Sequence, residues 1–291
     1  MKSRCLFCAA LLWSSLPLPA FAWCSGGFDG PASQTLPQYD PFAAVNLRVR
    51  VGLSVRNWSE APCQFRVFFT RVPASGEFAP NLHYLLVDQN GAGLLRADMD
   101  NAETNRSLLS PLVSGSSVGL LEFYLDVARG QISLPGTFTD RVAAILYATD
   151  RNIELDRRTL QFTLPVPSVS IVNIAGGGLS TSINFGKLEA GKARSVILEA
   201  RANEPYTVKF TSQHNGRMLL DPPVAGQNWA IDYQLRIDGA SADLANTVNL
   251  SADSTSSGQR SHNLEFKIMD VGNKRAGIYK DVVTAIIAVS R

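Results

Sequence analysis

The sequence predicts an all-β protein built from two tandem β-sandwiches. Three observations carry that expectation: short stretches in which apolar and polar residues alternate, turn formers between them, and a pattern in one half that returns in the other. The clearest alternation is Val45 to Val55, where Val45, Leu47, Val49, Val51, Leu53 and Val55 alternate with Asn46, Arg48, Arg50, Gly52 and Ser54. A period of two sends successive side chains to opposite faces of a strand. Comparable runs are Gln64–Thr70, His83–Val87, Leu120–Leu125, Arg194–Leu198, Tyr206–Thr211, Ile231–Ile237, Asn263–Ile268 and Asp281–Val289. Breakers such as Gln89-Asn90-Gly91, Asp221-Pro222-Pro223 and Ser254–Gly258 separate them. Outside the N-terminal leader no window shows the i, i+3, i+4, i+7 spacing of an amphipathic helix. Many short strands with turns between them imply sandwiches that are immunoglobulin-like in general form.

The repeat gives the domain plan. Leu121-Glu122-Phe123 is followed by Gly136-Thr137-Phe138-Thr139-Asp140-Arg141-Val142-Ala143-Ala144-Ile145. Leu264-Glu265-Phe266 is followed by Gly277-Ile278-Tyr279-Lys280-Asp281-Val282-Val283-Thr284-Ala285-Ile286. Both read L-E-F and then G-x-aromatic-x-D-x-V-x-A-I. A looser match sets Pro62 against Pro205, so the offset is near 143. Leu164-Pro165-Val166-Pro167-Ser168, with prolines one residue apart, reads as a stiff extended connector. The expected domains are 23–165 and 168–291.

Residues 1–22 read as a secretory leader. Lys2 and Arg4 precede an apolar stretch, and Ala20-Phe21-Ala22 supplies the small-x-small pattern of a cleavage site. The stretch is too short to span a bilayer, and no later window is long enough. Removing the leader takes two of the 27 Lys and Arg, which leaves them level with the 25 Asp and Glu. A chain without surplus positive charge is a poor partner for nucleic acid. Cys5 and Cys8 leave with the leader, and Cys24 and Cys63 remain as the expected disulfide of an exported protein.

The two halves differ after the repeated G-x-aromatic-x-D strand. The first continues into Arg158-Thr159-Leu160-Gln161-Phe162-Thr163-Leu164, whereas the second reaches Ser290-Arg291 and the sequence ends. The C-terminal sandwich is therefore expected to lack its last strand. Such a domain exposes apolar core and unpaired backbone groups, and a strand lent by another chain is the remedy.

The C-terminal half resembles the spore coat protein U-like domain of archaic chaperone–usher pilus subunits. The resemblance rests on Ile183-Asn184-Phe185-Gly186-Lys187-Leu188, Asn203-Glu204-Pro205-Tyr206-Thr207-Val208, Ile231-Asp232-Tyr233-Gln234-Leu235 and Gly277–Asp281. The N-terminal half is similar to it through Tyr39-Asp40-Pro41-Phe42 and Gly136–Val142. One departure is visible: the C-terminal half has no cysteine, where such domains often carry a disulfide. The resemblance implies a tip subunit or adhesin, exported through the periplasm to the surface (fimbrium) of a Gram-negative bacterium. Its implied partners are a periplasmic pilus chaperone, an outer-membrane usher and an adjacent pilin subunit. Only Trp23 precedes Cys24 after the leader, so a donor segment is not expected, which places the subunit at a fibre end. The other reading is a free-standing secreted coat or surface protein with self-complete domains.

Four residues are expected to line the donor-strand groove, with ordinary core as the alternative: Val283, Ala285, Ile287 and Val289. The resemblance implies that the chaperone anchors the carboxylate of Arg291. Contact with an abiotic or host surface is expected from apolar loop residues Phe28, Phe78, Leu94 and Leu95, unless each folds back onto the core. No catalytic, cofactor or metal site is expected. His83, His214 and His262 sit in no catalytic motif, the last two reading as surface residues. Gly176-Gly177-Gly178 reads as a bend, and Asp98-Met99-Asp100-Asn101 as a solvated turn, with Ca²⁺ binding as the alternative.

Overall fold

The computed structural model describes residues 23–72, 78–96, 106–150, 153–176, 178–225, 227, 229–253 and 258–289. The leader with Cys5 and Cys8, the Asp98–Asn101 run and Arg291 lie outside them. Among the described residues the chain is all-β and has no α-helix. None of its described helices is long and apolar enough to cross a membrane, because there are none.

The N-terminal half folds into two facing sheets. One has the order β1 (Gly26–Asp29), β3 (Leu47–Asn57), β8 (Val118–Val127) and β5 (Tyr84–Val87). The other has β2 (Ser33–Thr35), β10 (Ile153–Val166), β9 (Gly136–Ala148), β4 (Phe65–Arg71) and β6 (Leu95–Arg96), with β7 (Leu108–Leu109) also on β4. The period-two pattern decides which residues meet between the sheets. Val51, Leu53 and Val55 of β3 and Leu121, Phe123 and Leu125 of β8 point inward against Phe65, Val67 and Phe69 of β4. The Cys24–Cys63 disulfide joins the start of this half to the entry of β4, with Cα atoms 5.7 Å apart.

The C-terminal half repeats the arrangement. Its larger sheet runs β11 (Ser170–Ile174), β12 (Ala193–Ala202), β18 (Gln259–Asp270), β15 (Ala230–Ile237), β14 (Arg217–Asp221) and β19 (Ile278–Lys280), with β16 (Ala240–Ala242) also on β15. Its smaller sheet is β17 (Val248–Ala252), β13 (Tyr206–Ser212) and β20 (Val283–Val289). The order β1-β3-β8-β5 thus returns as β11-β12-β18-β15, and the β4–β9 pair returns as β13–β20.

The ladders refine the repeat. Phe65, Val67, Phe69 and Arg71 pair with Ala148, Leu146, Ala144 and Val142. Tyr206, Val208, Phe210 and Ser212 pair with Val289, Ile287, Ala285 and Val283. Phe65 therefore corresponds to Tyr206, two residues away from what the proline match suggests. The repeated aspartates explain why the motif recurs. Asp140 is buried and accepts a hydrogen bond from Tyr84 Oη at 2.7 Å, and Asp281 accepts one from Tyr233 Oη. Each pair ties the facing sheets together across the core. Burial raises both phenols well above the usual tyrosine range, and the neighbouring carboxylates raise them further.

Several sequence expectations change here. Leu164, Pro165 and Val166 belong to β10, where Val166 is buried opposite Gly136, so the connector starts only at Pro167. The halves also touch. Asn203 is buried, and its amide donates to the carbonyls of Ser133 (3.1 Å) and Pro167 (2.9 Å) while its Oδ1 accepts from Val169 N–H (2.9 Å). Gly258, at φ +62°, lies so close to Phe42 and Ile132 that a Cβ would come within 2.8 Å of the Phe42 ring. His262 is not a surface residue. It faces inward from β18 and its Nδ1 sits 2.7 Å from Asp238, because the alternation of β18 places it on the same face as Leu264 and Phe266.

Candidate functional site

The C-terminal half has an open groove where the N-terminal half has a strand. In the N-terminal half β10 pairs along the whole outer edge of β9, from Ile153 opposite Ala148 to Val166 opposite Gly136. In the C-terminal half β20 pairs with β13 alone among the described residues. Its other edge faces β11, with no ladder between them.

Burial records the consequence. Val142, Ala144, Leu146 and Ala148 of β9 are all 0% exposed. Their counterparts Val283, Ala285, Ile287 and Val289 are all partly exposed, although they sit in the same register on the same inner face. The four residues expected as groove lining thus share one face, and Val283 and Ala285 lie directly on a cavity of about 660 Å³. Its other walls include Ile174 of β11, Phe185, Phe210, Tyr233 and Phe266. The lining mixes apolar side chains with Asn173, Ser180, Thr181, Ser182 and Thr284; its one cation, Lys280, is paired with Asp221, and its one carboxylate, Asp281, already has donors. Ser212 Oγ donates to it at 2.6 Å, the His214 N–H at 3.1 Å and the Val282 N–H at 2.8 Å, besides Tyr233. The groove therefore suits apolar side chains on an extended backbone better than a charged ligand.

The expected surface contacts are placed differently. Phe28, Phe78 and Leu94 are core residues, exposed by 6%, 6% and 1%. Phe28 lies on β1 under the Arg158 guanidinium, Phe78 packs 4.9 Å from the Tyr84 ring, and Leu95 on β6 is partly buried against the same core. Each looks like a loop residue in the sequence, yet short edge strands and bridges turn these side chains inward. The exposed apolar side chains of this half lie elsewhere, among them Trp58, Leu109, Leu112 and Leu120. Leu109 and Leu120 border a depression of about 500 Å³ rimmed by Asp88 and Glu122. The signal that would have found Leu120 is its place on the outer phase of β8, alternating with buried Leu121.

Among the described residues no group of three or more His, Cys, Asp or Glu is placed to hold a metal. The buried His262 is matched to Asp238. Burial alone would raise that carboxyl, but hydrogen bonds from His262 and the Asn263 N–H hold it below its usual range.

No protein-family model matches the sequence, and no curated protein does. Solved structures give likenesses of overall fold. One is the chaperone–tip adhesion subunit pre-assembly complex CsuC–CsuE from archaic chaperone–usher Csu pili of Acinetobacter baumannii, with TM-score 0.46, 16% identity, and coverage of 91% of this chain and 98% of that one. A second is the CupB6 tip adhesin of Pseudomonas aeruginosa, with TM-score 0.40, 10% identity and coverage of 91% and 94%. A third is CfaE, the adhesive subunit of CFA/I fimbria of enterotoxigenic Escherichia coli, with TM-score 0.35, 8% identity and coverage of 90% and 99%. With TM-scores of 0.46 and below, the reading of the groove rests on this chain's own geometry.

Proposed function

We propose that this chain is a non-catalytic, strand-accepting subunit of a chaperone–usher pilus, with an N-terminal binding domain (23–166) and a C-terminal pilin-like domain (168–291). One observation carries the reading: the matched inner residues of β9 and β20 differ in burial, and β10 pairs along the first strand whereas, among the described residues, no strand pairs with the free edge of the second. The C-terminal domain takes a strand first from a periplasmic chaperone and then, at an outer-membrane usher, from the adjacent subunit. The N-terminal domain presents the surface that meets a receptor or a solid support. The exposed Leu109, Leu112 and Leu120 are its best apolar contacts among the described residues, in place of Phe28, Phe78 and Leu94. Pilus assembly places the mature chain on the bacterial surface.

Co-expression tests the reading. The chain is expressed in a periplasm with and without a co-expressed pilus chaperone, and the soluble, folded yield is measured. Chaperone-dependent recovery and co-purification are expected. A charge placed in the groove by Ala285→Lys should abolish co-purification. A chain that is soluble alone, unfolds sharply and ignores the chaperone would instead be a free-standing surface protein.

A further inference from the structure

The N-terminal half holds, in its own last strand, a template for what would fill the C-terminal groove. β10 runs antiparallel to β9, and its inner residues Leu160, Phe162 and Leu164 are buried. The ladder sets them opposite Val142, Asp140 and Phe138. Through the repeated motif those positions are Val283, Asp281 and Tyr279; Val283 opens β20 and Asp281 just precedes it, whereas Tyr279 lies on β19 and pairs with Leu220 of β14. Phe162 is the largest of the three inner residues, 1% exposed, with its ring 6.4 Å from that of Tyr84, the residue that donates to Asp140.

The C-terminal half rebuilds the walls of this socket. Tyr233 stands for Tyr84 and donates to Asp281. Phe210 stands for Phe69 in the ladder, and Phe266 stands for Phe123 in the L-E-F motif. Tyr233, Phe210 and Phe266 all line the 660 Å³ cavity, together with Met218. Among the described residues no strand pairs beside β20 to supply a ring as β10 supplies Phe162, although Phe185 also lines the cavity.

We infer, building on the strand-acceptor reading, that the strand which fills the groove runs antiparallel to β20, sets a Leu-sized residue opposite Val283 and, two positions further on, places a Phe-sized aromatic side chain beside Asp281. A small residue at that position would leave a void against walls fixed by two sheets, and the atoms lining a void lose their contacts outright. A polar residue would gain nothing, because the oxygens of Asp281 already accept from Tyr233, Ser212 and two backbone N–H groups. An aromatic ring would extend the Tyr233–Phe266 pair, whose centroids are 6.0 Å apart.

The probe is β10 itself: a lysine-flanked, fluorescent peptide of residues 153–166, which in the β9 register spans the counterparts of 277–289 and so all of β20. It is titrated into the chain purified without a partner, and hydrogen exchange locates the protected amides. The expected result is protection of β20, with the Phe162→Ala peptide binding at least tenfold more weakly and the Leu160→Ala peptide losing less. Equal binding of the parent and Phe162→Ala peptides would overturn the aromatic position while leaving a strand-accepting groove. Equal binding of the reversed sequence would overturn the antiparallel direction. Failure of every peptide to protect β20 would remove the groove reading, and this inference with it. If the partner-free chain is poorly soluble, the yield on refolding in the presence of each peptide must give the same ranking.

Discussion

Leu146→Ala and Ile287→Ala make the same chemical change at matched places, so the difference between their costs measures how open the groove is. Leu146 pairs with Val67 and Ile287 with Val208, and both valines are fully buried. Leu146 is 0% exposed, and β10 pairs along its strand from the other side. Truncating it removes buried methyl groups and leaves a cavity, at a cost of about 3 kcal/mol within the usual range of 2–5. Ile287 is partly exposed, so part of its side chain is already in water and solvent can enter the space left by truncation. Its loss should cost about 1 kcal/mol, a fraction of the burial value of a large aliphatic side chain. The assay is urea-dependent hydrogen exchange read at the partner strands, residues 65–71 and 206–212, which follows each half separately. Filling the groove should restore the missing cost. The β10 peptide should then bind Ile287→Ala about thirtyfold more weakly, since a difference of about 2 kcal/mol is some one and a half decades in affinity. Equal costs for the two substitutions in the chain alone would refute the reasoning, because Ile287 would then be as well covered as Leu146.

Three further outcomes follow from particular contacts. Replacing Cys24 and Cys63 with serine removes a crosslink between residues 39 apart, worth about 4 kcal/mol by chain entropy, and should lower the unfolding midpoint of the N-terminal segments alone. Tyr84→Phe and Tyr233→Phe should each cost about 1.5–3 kcal/mol, because each takes a donor from a buried carboxylate. The raised phenol pKa values fix the pH dependence. The unfolded chain releases these protons near pH 10 while the folded chain holds them, so the stability they give is complete below pH 10 and is lost as pH rises beyond it. Absorbance at 295 nm should show both tyrosines titrating only with unfolding, and early titration would contradict the buried pairs. Asn203→Ala strips partners from two carbonyls and an N–H at the contact between the halves. It should cost about 2 kcal/mol and increase exchange at Val169 while leaving the core of each half unchanged.

The parts of this fold that sequence reveals are those in which one residue type repeats at a fixed interval. The alternation of Val45 to Val55 announces β3, and the G-x-aromatic-x-D motif announces β9 and the segment around β20 because its aspartate has to meet a tyrosine across the core. That tyrosine is not legible beforehand: Tyr84 and Tyr233 lie at different distances from their aspartates, and only folding brings them opposite. The short strands β1, β2, β6 and β7 are equally hidden, since two to four residues carry no measurable period. This is why Phe28 and Leu94 look like exposed loop residues and prove to be core. His262 misleads for a related reason. It looks polar in sequence, but it occupies the inward phase of β18, where Asp238 satisfies one ring nitrogen. Val283, Ala285, Ile287 and Val289 stand out in the sequence because the repeated motif matches them to a strand that is followed by another in the first half.

The chemistry of β20 adds a reason for expecting a partner. Edge strands that must remain single usually carry lysine or proline, or are kept very short, so that other chains cannot pair with them. β20 reads Val-Thr-Ala-Ile-Ile-Ala-Val, with neither a charge nor a proline over seven residues. Its outward side chains, Thr284, Ile286 and Ala288, are uncharged as well, with Ile286 54% exposed and Val282, just before the strand, 56%. The opposite end of this half is guarded differently: the three-residue β19 carries Lys280 in an ion pair with Asp221. One edge therefore discourages addition and the other invites it. An unguarded edge above an open apolar cavity is an aggregation hazard for a solitary protein, whereas in a strand acceptor the same two features supply the backbone pairing and the side-chain pockets that binding needs.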